Sequence, residues 1–124
     1  MAVRHRACFG HRADHWPGNF ERRLINDVAN LESVQSWHRN LSHGKGFRIH
    51  GCLNHYPDFI VKINAGRIIA LETGDDRDNT DSELKLRLGK LWESKAGRDF
   101  RYIMVFENIP IDGAERLSDA LKGI

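Results

Sequence analysis

Asp58 and Glu72 stand fourteen residues apart, each on a run of strand-forming residues, and are the acids of this chain best placed to act together. Asp58 follows a proline in Tyr56-Pro57-Asp58-Phe59-Ile60, and Glu72 closes the run Arg67-Ile68-Ile69-Ala70-Leu71. Carboxylate oxygens are the ligands that Mg²⁺ or Mn²⁺ prefers, and an ion held by two of them can bind a phosphate, activate a water and stabilise a leaving oxygen. That is the chemistry of phosphodiester hydrolysis. Spacing alone leaves a second account open, in which both acids end their strands in solvent. A separate set, Cys8, His11 and His15 with His5 nearby, offers zinc-ligand types at short spacing. It lacks a second cysteine at a paired spacing, and Cys52 would have to arrive from a strand.

For the two acids to converge, their segments must pair. Residues 56–63 and 67–73 read as strands joined by Asn64-Ala65-Gly66, a short glycine-containing connection suited to a hairpin, with Asp58 on the first strand. Upstream, Asn19 can cap a helix over 19–32 whose apolar positions Phe20, Leu24, Val28 and Leu31 recur at helical spacing. A short strand over 34–37, a polar loop over 39–46 and a strand over 47–53 come next. Beyond Glu72 the stretch Gly74-Asp75-Asp76-Arg77-Asp78-Asn79-Thr80-Asp81 is too polar to bury. Thr80 and Glu83 then have capping-box spacing, and Leu84, Leu88, Leu91 and Trp92 line one face of a helix that Gly97 ends. Residues 101–107 form a strand expected to be buried on both sides, and a last helix lies near 113–122. The order is helix, three strands, helix, strand, helix, an α/β arrangement.

The chain has 124 residues, enough for one domain and too few for a multi-step motor. Its net charge of +2 divides into eight Lys/Arg against four Asp/Glu over residues 1–48 and eleven against thirteen over 49–124. The basic first part is a candidate for polyanion contact, and the alternative is a solvated face. No apolar run approaches the roughly 18–20 residues of a membrane span, and the first residues lack the apolar stretch of a signal peptide. The expectation is a cytoplasmic protein whose two cysteines are free thiols.

Six segments resemble one family in order: Trp37 to Asn40, Gly46 to Ile49, Tyr56 to Val61, Ala70 to Asn79, Leu88 to Gly97 and Phe100 to Glu107. With Pro57-Asp58, thirteen residues and Glu72, they resemble the PD-(D/E)-x-K nucleases, in particular the C-terminal endonuclease domain of type III restriction enzymes and their DEAD/DEAH-box helicase relatives. The resemblance runs from Asn19 to the end and leaves 1–18 as a basic, His-rich arm. It implies a restriction-endonuclease-like αβββαβ core, with a mixed central sheet flanked by helices, and Mg²⁺- or Mn²⁺-dependent DNA cleavage. It further implies DNA as partner, a helicase motor or modification subunit alongside, and a homodimer for double-strand cutting. Asp58 and Glu72 become the catalytic acids and, with the carbonyl of Thr73, the metal ligands. Glu21 on the first helix would help order the metal's water. His38, Arg39, Asn40, Lys45 and Arg48 become DNA contacts, with a loop-capping role as the alternative for the first three.

One position departs from the family. Its pattern reads acid, any residue, lysine, whereas this chain reads Glu72-Thr73-Gly74. The lysine would orient the attacking water and stabilise the charged phosphorane. Lys62 lies four residues from Asp58, roughly 13 Å along a strand at about 3.3 Å per residue, which is too far. Lys85, next in sequence to a Leu84 expected in the core, could lean toward the strand end instead. The acids Asp75, Asp76, Asp78 and Asp81 either complete a metal shell or cap the second helix. The competing functions are a catalytically silent DNA-binding relative and a zinc-stabilised interaction module.

Overall fold

A computed structural model describes residues 19–41, 46–51, 54–74 and 79–124. The N-terminal arm with its Cys8, His5, His11 and His15, and Lys45, Cys52, Asp75, Asp76 and Asp78, lie outside the described residues.

Helix α1 (Asn19–Ala29) buries Leu24, Ile25, Val28 and Ala29 along one stripe. It ends three residues sooner than its apolar spacing suggests, because Leu31 N–H bonds Val28 O and Val34 N–H bonds Leu31 O in two turns that lead into β1. Strand β1 (Val34–Arg39) is two residues longer than expected. Of the strand expected over 47–53, the described residues form only Ile49–His50, and Phe47 stays outside it. Asn40 instead donates from Nδ2 to Phe47 O and accepts Phe47 N–H at Oδ1, so a side chain takes the bonds that a ladder would have used. The chain then forms a two-stranded ribbon of β2 (Ile49–His50) and β3 (Asn54–His55), apart from the main sheet.

Strands β4 (Phe59–Ile63) and β5 (Ile68–Thr73) form the expected hairpin, with Gly66 at φ 83° in the connection, where other residues are strained. Asp58 stands one residue before β4 and not on it. Helix α2 (Asn79–Ala96) then crosses over the sheet, and Gly97 at φ 104° ends it. Strand β6 (Phe100–Phe106) is buried from Tyr102 onward, a two-residue β7 (Glu115–Arg116) comes after it, and α3 (Leu117–Gly123) closes the chain. The sequence reading missed β7, which is too short to show a pattern.

The main sheet runs β1-β4-β5-β6-β7. Its first three strands are antiparallel, and β5, β6 and β7 are parallel to one another. Parallel neighbours need a crossover, and α2 provides it between β5 and β6. The protein is thus mixed α/β, with a mixed central sheet flanked by helices. Strand alternation divides the core. Phe59, Val61, Ile69, Leu71, Ile103 and Val105 pack with α1 and with Ala120 of α3, whereas Ala70, Tyr102, Met104 and Phe106 pack with Leu86 and Leu88 of α2. Glu72 and Gly74 share the alternation of Ala70 and therefore face α2.

The inward face of α2 differs from the expected one. Leu84 and Leu91 are exposed, while Ser82, Leu86, Leu88 and Gly89 are buried. A Cβ at Gly89 would overlap the Tyr102 ring, so a glycine lets the helix lie on that ring. Counting back one turn from Gly89 along this stripe reaches Lys85, on the sheet-facing side.

Candidate functional site

The carboxyl end of β5, the residues entering β4 and the first turns of α2 converge on two acids. Asp58 N–H donates to Glu72 Oε1 at 3.0 Å. Asp58 Oδ2 accepts from both Thr73 N–H, at 2.8 Å, and Thr73 Oγ1, at 2.6 Å. The two acids are therefore locked together through backbone and side chain, and neither ends a strand loosely in solvent. Glu72 is only 5% exposed. Burial, then the charge of Asp58, holds its carboxyl well above the usual range against the opposing charge of Lys85. The two carboxyls thus disfavour each other's charge, which the ammonium of Lys85 partly offsets.

Lys85 reaches this pair from α2. Its Nζ lies 3.7 Å from Glu72 Oε2 and 2.9 Å from Asp81 Oδ2. Burial alone would lower its pKa, but the hydrogen bond to Asp81 and the charges of Glu72, Asp81 and Asp58 outweigh it and raise the ammonium above its ordinary value. Gly74, where the resembling family carries lysine, is filled from the other side: a Cβ there would overlap the ring of the fully buried Phe106. Gly74 N–H also bonds Val105 O at 2.8 Å, fixing the strand against β6. The ammonium of the site thus comes from the helix. Lys62 is exposed on β4.

Glu21 stands at the amino end of α1, within reach of Asp58 and Arg39. Burial and the Asp58 charge push its carboxyl up to about 7 against the opposing charge of Arg39. The proposed DNA contacts do not form one row. His38 turns to the α2 face, where burial lowers its imidazole, while alternation turns Arg39 to the opposite face. The Asn40 side chain is committed to Phe47, the loop cap of its two readings, and its N–H bonds Asp58 O at 2.8 Å. Arg48 is exposed, its Nη2 2.6 Å from His50 Nε2.

Two residues of this region escaped the sequence reading. His55 and Tyr102, both buried, share a hydrogen bond of 2.7 Å and meet edge to face. Burial and the charges of Glu72 and Asp58 raise the Tyr102 hydroxyl, so it stays protonated. Burial and the Lys85 charge push His55 down to about 4, against Asp81. The available signal was a histidine three residues before Asp58 together with a tyrosine on the alternation of the strand beside Glu72. This pair predicts an acid weakness. Between pH 6.5 and about 4 the unfolded chain takes up a proton at His55 that the native protein refuses. The stability is full above that window and declines by roughly 3 kcal/mol as pH falls through it. Urea unfolding across pH, compared with His55→Phe/Tyr102→Phe, checks this. The double variant removes both partners at once and is expected to lack that part of the slope.

Among the described residues, no group of three or more His, Cys, Asp or Glu is arranged to hold a metal ion. Mg²⁺ needs less, since it is commonly held by one or two carboxylates plus water and substrate phosphate. Asp58 and Glu72, with the Thr73 carbonyl beside them, suit that requirement. A dication would also offset the repulsion between their charges. Comparison of the chain with family models, with curated proteins and with solved structures returns no match. Among the described residues no helix is long and apolar enough to cross a membrane.

Proposed function

We propose that the chain is a divalent-metal-dependent endonuclease domain of the type III restriction class, hydrolysing DNA phosphodiesters at Asp58 and Glu72. The observation that carries the reading is the pairing of two interlocked carboxylates, one of them buried, with an ammonium 3.7 Å away. Solvated strand ends need no such arrangement, and burying it has a cost that a structural role leaves unexplained. A mixed central sheet flanked by helices, with α2 over the face that carries Glu72, supports the reading.

Asp58, Glu72 and the Thr73 carbonyl would hold Mg²⁺ or Mn²⁺, which when bound supplies a Lewis acid for the phosphate and lowers the pKa of a water. The remaining roles belong to the chain. Thr73 fixes the Asp58 carboxylate through two donors to one oxygen, leaving the other free of Thr73. Lys85 presents positive charge where the attacked phosphorus gathers negative charge, the task the family gives to its strand lysine. Glu21 orders the attacking water beside Asp58. Arg39 and Arg48 offer charge to neighbouring phosphates. A helicase motor or modification subunit, and a second copy for double-strand cutting, are the partners this reading implies.

Plasmid incubated with the protein in Mg²⁺ or Mn²⁺ tests the proposal. Nicking or linearisation that EDTA stops is the expected result. If no divalent ion binds in calorimetry and no cleavage occurs, the metal-site reading is overturned. Ion and DNA binding without cleavage would favour the silent relative instead. Lys85→Met separates the two further. It keeps the length and apolar stem of the side chain while removing its charge, and is expected to slow cleavage about 10²- to 10³-fold in single-turnover kinetics. An unchanged rate would remove Lys85 from the chemistry.

A further inference from the structure

A cavity of about 220 Å³ opens on the α2 face of the sheet, lined by Phe47, Trp92, Phe100, His38, Ile60 and Ala70. Its floor is on the same strands as the acids. Ile60 lies two residues beyond Asp58 on β4, Ala70 two residues before Glu72 on β5, and these two are register partners, with His38 opposite Ile60. Two residues along a strand is roughly 7 Å, and alternation puts Ile60, Ala70 and Glu72 on one face, with Asp58 bonded beside Glu72 at the entry to β4. The cavity therefore adjoins the carboxylate pair at about the distance that separates a phosphate from the base of its own nucleotide.

We propose that this cavity is a nucleobase pocket, which receives one unstacked base next to the phosphate under attack. The proposal rests on the DNA-hydrolysis reading and adds a substrate class to it: single-stranded DNA, or duplex with an extrahelical base, in preference to regular duplex. The volume is below the roughly 300–1,000 Å³ of pockets for drug-sized ligands, which suits a single planar ring system. Three aromatic rings form its wall, with Phe47 5.2 Å from Trp92 and Trp92 5.9 Å from Phe100 between centroids. Such rings stack on any base, whereas a base paired within a duplex has no free face to offer. His38 closes one side of this almost wholly apolar lining, where burial lowers its imidazole's pKa. Phe47, at the mouth, is followed directly by the exposed Arg48, which brings a positive charge to the rim for the adjoining phosphate.

The test measures binding in EDTA, so that it does not depend on cleavage. The full chain is titrated by fluorescence anisotropy against a labelled duplex, the same duplex with one extrahelical base, and the single strand. The latter two are expected to bind at least about fivefold more tightly than the duplex. Phe47→Ala, at a partly exposed loop position, and Ile60→Trp, which fills the cavity from its floor, are expected to bring the three affinities together while leaving the duplex value unchanged. Thermal melting checks that both variants fold, and Phe47→Ala serves alone if the larger side chain disturbs β4. Equal affinities in the unmodified protein, or an equal loss on all three DNAs in Phe47→Ala, would overturn the pocket. A base preference without cleavage sinks the hydrolysis reading and leaves the pocket standing; cleavage without a base preference does the reverse.

Discussion

Asp58→Asn is expected to abolish divalent-ion-dependent cleavage, by about 10³-fold or more, without unfolding the protein. Losing even a group that only supports a metal ligand commonly costs 10- to 100-fold in affinity or activity, and Asp58 is proposed as a ligand itself. The choice of asparagine matters. Its carbonyl oxygen can still accept from Thr73 N–H and Oγ1, the two donors now on Oδ2 at 2.8 and 2.6 Å, so no buried donor is orphaned. What disappears is one negative charge. That charge is the second cause, after burial, holding Glu72 above its usual range, so the variant makes Glu72 easier to ionise and the native state no less stable. Calorimetry with Mn²⁺ and a melting curve check the two halves together. The expected pattern is lost ion binding with an equal or higher melting temperature, the common relation between stability and a charged site. A variant that still cuts, or that binds Mn²⁺ as before, would remove Asp58 from the proposed centre.

Placing on β5 the lysine that the resembling family carries is expected to damage the protein. Gly74→Lys puts a Cβ into the Phe106 ring, which is fully buried beneath α2 and has no open space to enter. Overpacking a closed core costs about 1–3 kcal/mol, and forcing an ammonium against an aromatic core adds the cost of burying its charge. A loss of at least about 3 kcal/mol in urea unfolding is expected, enough to leave a marginal domain largely unfolded. Gly74→Lys/Phe106→Ala should lose less than the sum of its two single changes, because the smaller side chain gives way to the larger. Strict additivity, or a Gly74→Lys protein as stable as the parent, would show that Phe106 is not what closes the position. The absent lysine is thus matched by its surroundings: β6 fills the place on the strand, and Lys85 enters from above.

Much of this was legible in the residues. The hairpin of β4 and β5 follows from two apolar runs around a glycine turn, and the juxtaposition of Asp58 and Glu72 follows from the hairpin. Helix α2 ends where Gly97 predicts, but it begins at Asn79, so Thr80, expected as its cap, lies inside the helix. Its inward face could not be read. Leucines at 84, 88 and 91 suggest a stripe, but the sheet beneath presents Tyr102 and Glu72, which call for a glycine and a lysine rather than more leucine. The buried stripe therefore includes Ser82 and Gly89, with Lys85 between them, and Leu84 and Leu91 turn outward. Periodicity of apolar residues is blind to a polar interior. The same blindness hid His55 and Tyr102, whose partnership exists only once a separate ribbon is laid against β6. The strand expected from residue 47 starts only at Ile49 for a local reason, since the Asn40 side chain takes both backbone groups of Phe47.

Lys85 stands between an exposed carboxylate and a buried one, and on the proposed reading this sets the terms on which DNA enters. Asp81, 2.9 Å from the ammonium and about half exposed, occupies the role that a phosphate oxygen would take during the reaction. An arriving backbone does not find a bare cation; it displaces a resident surrogate. The exchange trades one anionic neighbour for another, so docking at this point adds little affinity, and the ammonium returns to Asp81 when the cut strand departs. A centre built in this way favours turnover over retention, with grip on the polymer left to the surfaces around it.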